Sequence, residues 1–125
     1  MKIDMITEDI SQQDLEAIEK YADKLFAKVG IDVAFTRHFL DRANDERNKK
    51  PITAPELVRI FKQEYKRWAK PIAKMGPDAE AVMKDMATDI NVPFVLKWDR
   101  ENGELDLIAK TVMRKKDFAT PNRVF

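Results

Sequence analysis

The chain has no cysteine. Disulfides, thiolate nucleophiles and cysteine-based zinc sites are therefore excluded outright. It has a single histidine, His38, which rules out acid–base chemistry by a pair of histidines. Its three glycines, Gly30, Gly76 and Gly103, are scattered, so the glycine-rich loops that cradle nucleotide phosphates are missing. No apolar run approaches the roughly 20 residues needed to span a bilayer. The first residues also lack the positive, apolar and small-residue regions of a secretory signal. A soluble, reducing compartment is the expectation, with no membrane partner.

The 125 residues fit one domain long enough to bury a core. The net charge of +1 conceals a division along the chain. Acidic residues gather in the first helical stretch (Glu8, Asp9, Asp14, Glu16, Glu19), while residues 59 to 74 and 110 to 123 are basic. A polarised surface of this kind can dock on a polyanion without an overall basic charge.

Ser11 followed by Asp14 resembles a capping box, although Asp replaces the favoured Glu or Gln. Leu15, Ile18, Ala22, Leu25, Phe26 and Val29 then recur at helical spacing up to Gly30, a suitable C-terminal cap. Residues 1 to 6 alternate weakly, as a short edge strand would, and residues 31 to 35 read as an extended link. Thr36 is placed to cap a helix through His38 that ends near Asn48, before Pro51. A further helix starts at Thr53, with Pro55 in its first turn and Glu56 completing a capping box. Its buried stripe is Leu57, Ile60, Phe61, Tyr65, Trp68 and Ile72. Arg59, Lys62, Lys66 and Lys70 form a cationic row on another face, where a solvated surface competes with a nucleic-acid contact. Pro71 strains this helix, and Gly76-Pro77 ends it.

Residues 79 to 87 are ambiguous, since Ala79, Val82, Met83 and Met86 fit a short helix while a strand stays open. Val92, Phe94, Leu96 and Trp98 alternate as a strand, the chain turns over residues 99 to 103, and residues 105 to 113 return. The fold class expected is α+β: a helical part over residues 9 to 76, then a small antiparallel sheet over about 80 to 118.

Two segments carry candidate chemistry. On a helix His38 and Arg42 lie one turn apart, with Arg47 a further turn along. An imidazole can move a proton near neutral pH, and guanidinium groups clamp phosphate oxygens with paired donors. Far along the chain, Lys110, Arg114, Lys115, Lys116 and Arg123 form a cationic cluster opposed only by Asp117. Such a cluster is the footprint of a polyanion site or a charged, solvated strand end.

Together these segments resemble phage-encoded members of the barnase–EndoU–colicin–RelE ribonuclease superfamily. The resemblance rests on Phe35, Thr36, His38, Phe39, Arg42 and Arg47 in front, and on Lys110 through Lys116 with Phe118 behind. It implies a small, toxin-like, metal-independent ribonuclease that needs no cofactor, with a helical front half and a sheet that carries the site, and it favours a first sheet strand near residues 81 to 86. RNA would be the partner, with a cognate inhibitor or host protein as a second one. The protein would act in the cytoplasm of a host cell or travel with a virion.

Metal-independent RNA cleavage needs a base for the 2′-hydroxyl, an acid for the leaving 5′-oxygen and positive charge for the phosphorane. The expected catalytic set is His38, Lys110 and Thr111, with Arg42, Arg47, Arg114 and Lys116 gripping substrate. An ideal strand poses a difficulty. It turns Thr111 to the side of Leu105, Leu107 and Ala109, and Lys110 and Arg114 to the other. Only a bulge or a strand end could change that parity, so Lys110 and Arg114 rank above Thr111. Two rivals stand beside this expectation. Glu104 and Asp106 ahead of Lys110 resemble the acidic hairpin of magnesium-dependent nucleases, although Ile108 occupies the position where a second carboxylate belongs. A non-catalytic module binding nucleic acid or a host protein on the same scaffold is the other.

Overall fold

The computed structural model describes residues 9–125; the alternating residues 1 to 6 lie outside that range. The architecture is α+β: helices dominate the first part and a sheet the second, with one strand contributed from among the helices. Helix α1 (Gln12–Phe26) opens with the capping box of Ser11 and Asp14 and buries Leu15, Ile18, Ala22 and Phe26. A 3-10 turn (Ala27–Val29) follows, and Gly30 at φ +76° takes the left-handed position that lets the chain reverse into a strand.

That strand, β1 (Ile31–Phe35), occupies the segment expected to be a link. It pairs parallel with β4 (Glu104–Ala109), Ile31 opposite Leu105 and Phe35 opposite Ala109. β3 (Ile90–Asp99) pairs antiparallel with β4 and with β2 (Glu80–Asp85), and short β6 (Arg123–Val124) runs parallel to β2. The strand order is β1-β4-β3-β2-β6, with β5 (Met113–Arg114) on the start of β3. The sheet is therefore mixed rather than antiparallel. Local alternation predicts that residues 31 to 35 are extended, but a partner more than 70 residues away leaves no local mark.

β1 is an edge strand, and α1 covers its free amides. The Val33 N–H donates to an Asp23 carboxylate oxygen, and the Phe35 N–H donates to Glu19 Oε2 at 3.2 Å. Acidic side chains of α1 thus occupy positions that another strand would use. Desolvation raises the Asp23 carboxyl to about 6, the backbone bond from Val33 opposing and neighbouring Asp32 adding to the rise.

Helix α3 (Ala54–Met75) begins with the capping box of Thr53 and Glu56. It continues through Pro71, which removes only the N–H that would reach back to Arg67 on an exposed face. Alternate strand residues (Ile31, Val33, Phe94, Leu96, Leu105, Leu107, Ala109) join the apolar stripes of α1 and α3 in one core. Edge-to-face aromatic pairs tie it together, Phe26 with Tyr65 and Phe35 with Phe61. Tyr65 and Trp68 pack against this core, Trp68 against Phe125.

The helix expected through His38 is much shorter. α2 covers Phe39–Ala43, with His38 at its N-terminal boundary, and a separate 3-10 turn covers Glu46–Asn48. The run ends at Asn44, whose side chain is held by Ile10, accepting its N–H at 2.8 Å and donating to its carbonyl at 3.0 Å, while the Asn48 amide takes the Arg42 and Ala43 carbonyls. Asp45 then caps the next turn by accepting the Arg47 N–H. Polar side chains have taken over backbone groups that would have extended the helix. His38 and Arg42 keep their one-turn relation, the Arg42 N–H donating to the His38 carbonyl at 3.0 Å. Arg47 belongs to the following turn, a departure from the expected single helix.

Candidate active site

The two segments meet where β4 stops. Pro93, inside β3, has no N–H to donate to the Lys110 carbonyl opposite it, although the Lys110 N–H still reaches the Pro93 carbonyl at 2.9 Å. The Thr36 hydroxyl takes the vacant role and donates to the Lys110 carbonyl at 2.7 Å. Thr36 was expected to cap the next helix; its side chain instead joins the lead-in to α2 to the end of β4.

Just past this point the strand gains a residue. Ala109 lies opposite Phe94 and Met113 opposite Asn91, four steps along one chain against three along the other. The insertion is a bulge in effect, and it reverses the parity. Leu105, Leu107 and Ala109 are buried, and then Val112 rather than Thr111 takes the next core position. Thr111 is released into a cleft. Lys110 points elsewhere, its ammonium 2.5 Å from Glu80 Oε1 on β2.

The cleft has a volume of about 680 Å³ and lies between residues 42 to 50 and residues 111 to 116. Its cations are Arg42, Arg47, Lys49, Lys50, Arg114, Lys115 and Lys116, against Asp45 and Asp89. Five of the seven expected site residues line it: Arg42, Arg47, Thr111, Arg114 and Lys116. His38 and Lys110 are not in the lining, and His38 is exposed one turn before Arg42.

No protein-family model, curated protein or solved structure matches the chain. The site is therefore read from its own geometry.

Arg114 is fixed in the wall of the cleft. Its side chain is only 11% exposed, and all five of its N–H donors find acceptors within the protein. Nε donates to the Lys50 carbonyl, Nη1 to the Thr88 carbonyl and Glu56 Oε2, and Nη2 to the Pro51 carbonyl and Glu56 Oε1. Glu56 also receives the Thr53 N–H, so one carboxylate caps α3 and anchors the cleft wall. Burial pushes the Glu56 carboxyl up, but the Arg114 and Thr53 bonds prevail and hold it below the usual carboxylate range.

Buried Asn48 joins the two walls. Its amide donates to the Arg42 and Ala43 carbonyls at 2.9 and 3.2 Å, while its Oδ1 accepts the Arg114 N–H at 3.0 Å. Asn91, fully buried, donates to the Met113 and Lys115 carbonyls and holds the second wall. At the rim Lys49 has φ +64° and ψ −48°, and the Lys50 N–H closes on the Asn48 carbonyl at 2.6 Å. This is a γ-turn of the rare, strained hand, and it sets two lysines beside the cleft. Arg47 is 76% exposed and lies 2.7 Å from Asp45. Hydrogen bonding to Arg47 holds the Asp45 carboxyl down at about 2, so that charge stays neutralised.

Lys49, Lys50, Lys115 and Asn48 were not among the expected site residues. In sequence the Asn48-Lys49-Lys50-Pro51 run marks a helix stop, and its charge beside Arg42 and Arg47 is the signal that points to the cleft.

A separate acidic group could hold a cation. Carboxylate oxygens of Asp32, Glu104 and Asp106 lie within 4.8 Å of one another, and Asp106 Oδ1 is buried with no partner. Desolvation first, then Asp32 and Asp99, raises the Asp106 carboxyl. This gives the magnesium rival the further carboxylate it lacked in sequence. Asp106 is nevertheless five residues from Thr111, roughly 16 Å along a strand, so the acidic group and the basic cleft are distinct places.

Proposed function

We propose that this protein is a metal-independent endoribonuclease whose substrate backbone lies in the cleft between α2 and the bulged end of β4. The observation that carries the reading is convergence. Arg42 and Arg47 from one segment, and Thr111 and Lys116 from another more than 60 residues away, line a single cation-rich cleft. The Thr36–Lys110 bond ties the His38 segment to the same place. The resemblance to the barnase–EndoU–colicin–RelE superfamily, with its toxin-like phage members, implies the same chemistry and a host-cell or virion setting.

In this mechanism Arg42 and the rim lysines offset the charge that grows on the phosphorane, and Arg47, paired with Asp45 through Nε and Nη2, offers its Nη1 donors to a phosphodiester oxygen. The Thr111 hydroxyl donates to a non-bridging oxygen and fixes the phosphate. His38, one turn from Arg42, performs one of the two proton transfers, either taking the proton of the 2′-hydroxyl or supplying one to the leaving 5′-oxygen. The other transfer falls to a cleft lysine or to the phosphate itself, since there is no second histidine. The 2′-oxygen forms the new bond to phosphorus as the bond to the 5′-oxygen breaks, leaving a 2′,3′-cyclic phosphate and a 5′-hydroxyl. DNA, without the 2′-hydroxyl, is spared. Arg114 shapes the wall and contributes its charge without reaching the substrate.

The test is incubation of total RNA and tRNA with purified protein in EDTA, with His38→Ala in parallel. Cleavage by the wild type alone supports the reading. No cleavage, with RNA bound, would make the protein a non-catalytic binding module; cleavage that needs magnesium would turn attention to Asp32, Glu104 and Asp106.

A further inference from the structure

The turn between β2 and β3 (residues 86 to 89) reaches the cleft through Asp89. Asp89 has φ +61°, a left-handed backbone that glycine meets at least cost. It is pinned there. Its N–H donates to the Asp85 carbonyl at 2.9 Å, and its carbonyl accepts the Lys115 N–H at 2.8 Å and an Asn91 amide N–H at 3.1 Å. Next to it, the Thr88 carbonyl accepts from Arg114 Nη1 at 3.0 Å. The turn thus belongs to the wall that carries Arg114, Lys115 and Lys116, and half-buried Asp89 lines the cleft.

The two carboxylates of the cleft differ in what they hold. Asp45 is taken up by the Arg47 guanidinium. The Asp89 carboxylate has neither a salt bridge nor a side-chain hydrogen bond among the described residues. Beside cations that grip phosphate, a free negative charge works against a polyanion, and glycine would serve the turn without it. An ionised carboxylate only accepts hydrogen bonds, so what it can gain from a bound strand is a donor. Among the described residues no aromatic side chain lines the cleft to stack a base, which leaves the sugar–phosphate backbone as the part that is held. Phosphate oxygens and deoxyribose within a strand offer no donor. The 2′-hydroxyl is the one that an RNA backbone adds.

We propose that Asp89 is the sugar-reading residue of the cleft, its carboxylate accepting a hydrogen bond from a ribose 2′-hydroxyl of the bound strand and disfavouring DNA. The inference rests on the ribonuclease reading and deepens it, from a reaction that DNA cannot undergo to a cleft that also binds DNA poorly. The cations give affinity for any phosphodiester strand. Asp89 lowers that affinity and restores it only where a donor meets the carboxylate, so the selection comes from what the wrong strand leaves unpaired.

The experiment titrates the protein with two strands of one sequence at one salt concentration. The first is 2′-amino-substituted, which keeps a donor at the 2′ position but lacks the oxygen that cleavage needs; the second is DNA. The wild type is expected to bind the 2′-amino strand on the order of tenfold more tightly, the range of one hydrogen bond to a charged group. Asp89→Gly suits the left-handed backbone and removes the carboxylate. It should bring the two strands within about twofold of each other, with DNA bound more tightly than by the wild type. Asp89→Asn keeps an acceptor and should retain part of the preference. A tenfold preference that survives Asp89→Gly, or equal binding of the two strands by the wild type, would overturn the assignment. If Asp89→Gly weakens both strands by the same factor, the carboxylate holds a base donor instead, and the assignment is likewise overturned. Cleavage of RNA in EDTA by the same wild-type protein separates the two failures: with cleavage, only the role of Asp89 is lost; with neither cleavage nor binding, the ribonuclease reading falls with it.

Discussion

The Thr36 hydroxyl donates to the Lys110 carbonyl at 2.7 Å, and it can do so because Pro93 leaves that carbonyl without its ladder partner. One bond between residues 74 apart in sequence joins the segment that carries His38 to the segment that carries Thr111. Thr36→Val keeps the shape and removes the donor. A buried acceptor left unmade costs about 1–2 kcal/mol, so urea unfolding should show a loss of that size. Cleavage should fall further than stability explains, because the two halves of the site would no longer be held in register.

Arg114 and Arg42 look interchangeable in sequence, but their surroundings differ. Arg114→Ala would leave Glu56 and three carbonyls without their donor, a loss of roughly 3 kcal/mol for a largely buried pair. Arg42→Ala touches exposed surface and should change stability by less than about 0.5 kcal/mol. Its effect should fall on RNA affinity, with a shallower salt dependence. Thermal melts and binding titrations on the two variants separate these roles.

Stability should also depend on Glu64. Its carboxyl lies at about 7 in the fold against 4.5 for a free side chain. The folded state therefore binds the proton more tightly, and stability from this group is full below the free value and lost as pH rises through about 7. That difference corresponds to about 3 kcal/mol. Glu64→Gln should flatten the decline, gaining on wild type at pH 8 but not at pH 4. Asp23, raised to about 6, acts in the same direction over its own range. Chemical denaturation across pH reads both.

The free edge of β1 yields a different expectation. Removing the carboxylates that cover it, in Glu19→Ala with Asp23→Ala, exposes the Val33 and Phe35 amides to another strand. Light scattering should then show concentration-dependent self-association that the wild type lacks.

Much of the fold was legible in local pattern. The capping boxes at Ser11 and Thr53 mark the starts of α1 and α3, and alternation marks the β3–β4 hairpin; β2 buries Ala81, Val82 and Met83 in succession, so its own pattern does not separate strand from helix. β1 was legible only as extended chain, because its parallel partner is remote. The His38 helix is shorter than its pattern suggests because the Asp45 and Asn48 side chains take the Arg47 N–H and the Arg42 and Ala43 carbonyls that a longer helix would pair. At the site, Arg42, Arg47 and Lys116 could be read from charge. Thr111 ranks below Lys110 and Arg114 in sequence, since its release into the cleft depends on a one-residue insertion between Ala109 and Met113 that local pattern does not mark. Arg114 was read as a phosphate ligand because a sequence does not say that Glu56 and three carbonyls await its donors.

In the proposed reaction Thr111 contacts the RNA phosphate, while Lys110 stays paired with Glu80. The direct measurement is the single-turnover cleavage rate of an RNA strand in EDTA by Thr111→Val, Lys110→Ala and His38→Ala, with the product ends identified. Losses on the order of 100-fold for Thr111→Val and 1,000-fold for His38→Ala are expected. Lys110→Ala should stay within about threefold of wild type, a change of under 1 kcal/mol in barrier, with 2′,3′-cyclic phosphate ends throughout. A wild-type rate for Thr111→Val together with an inactive Lys110→Ala would contradict these roles.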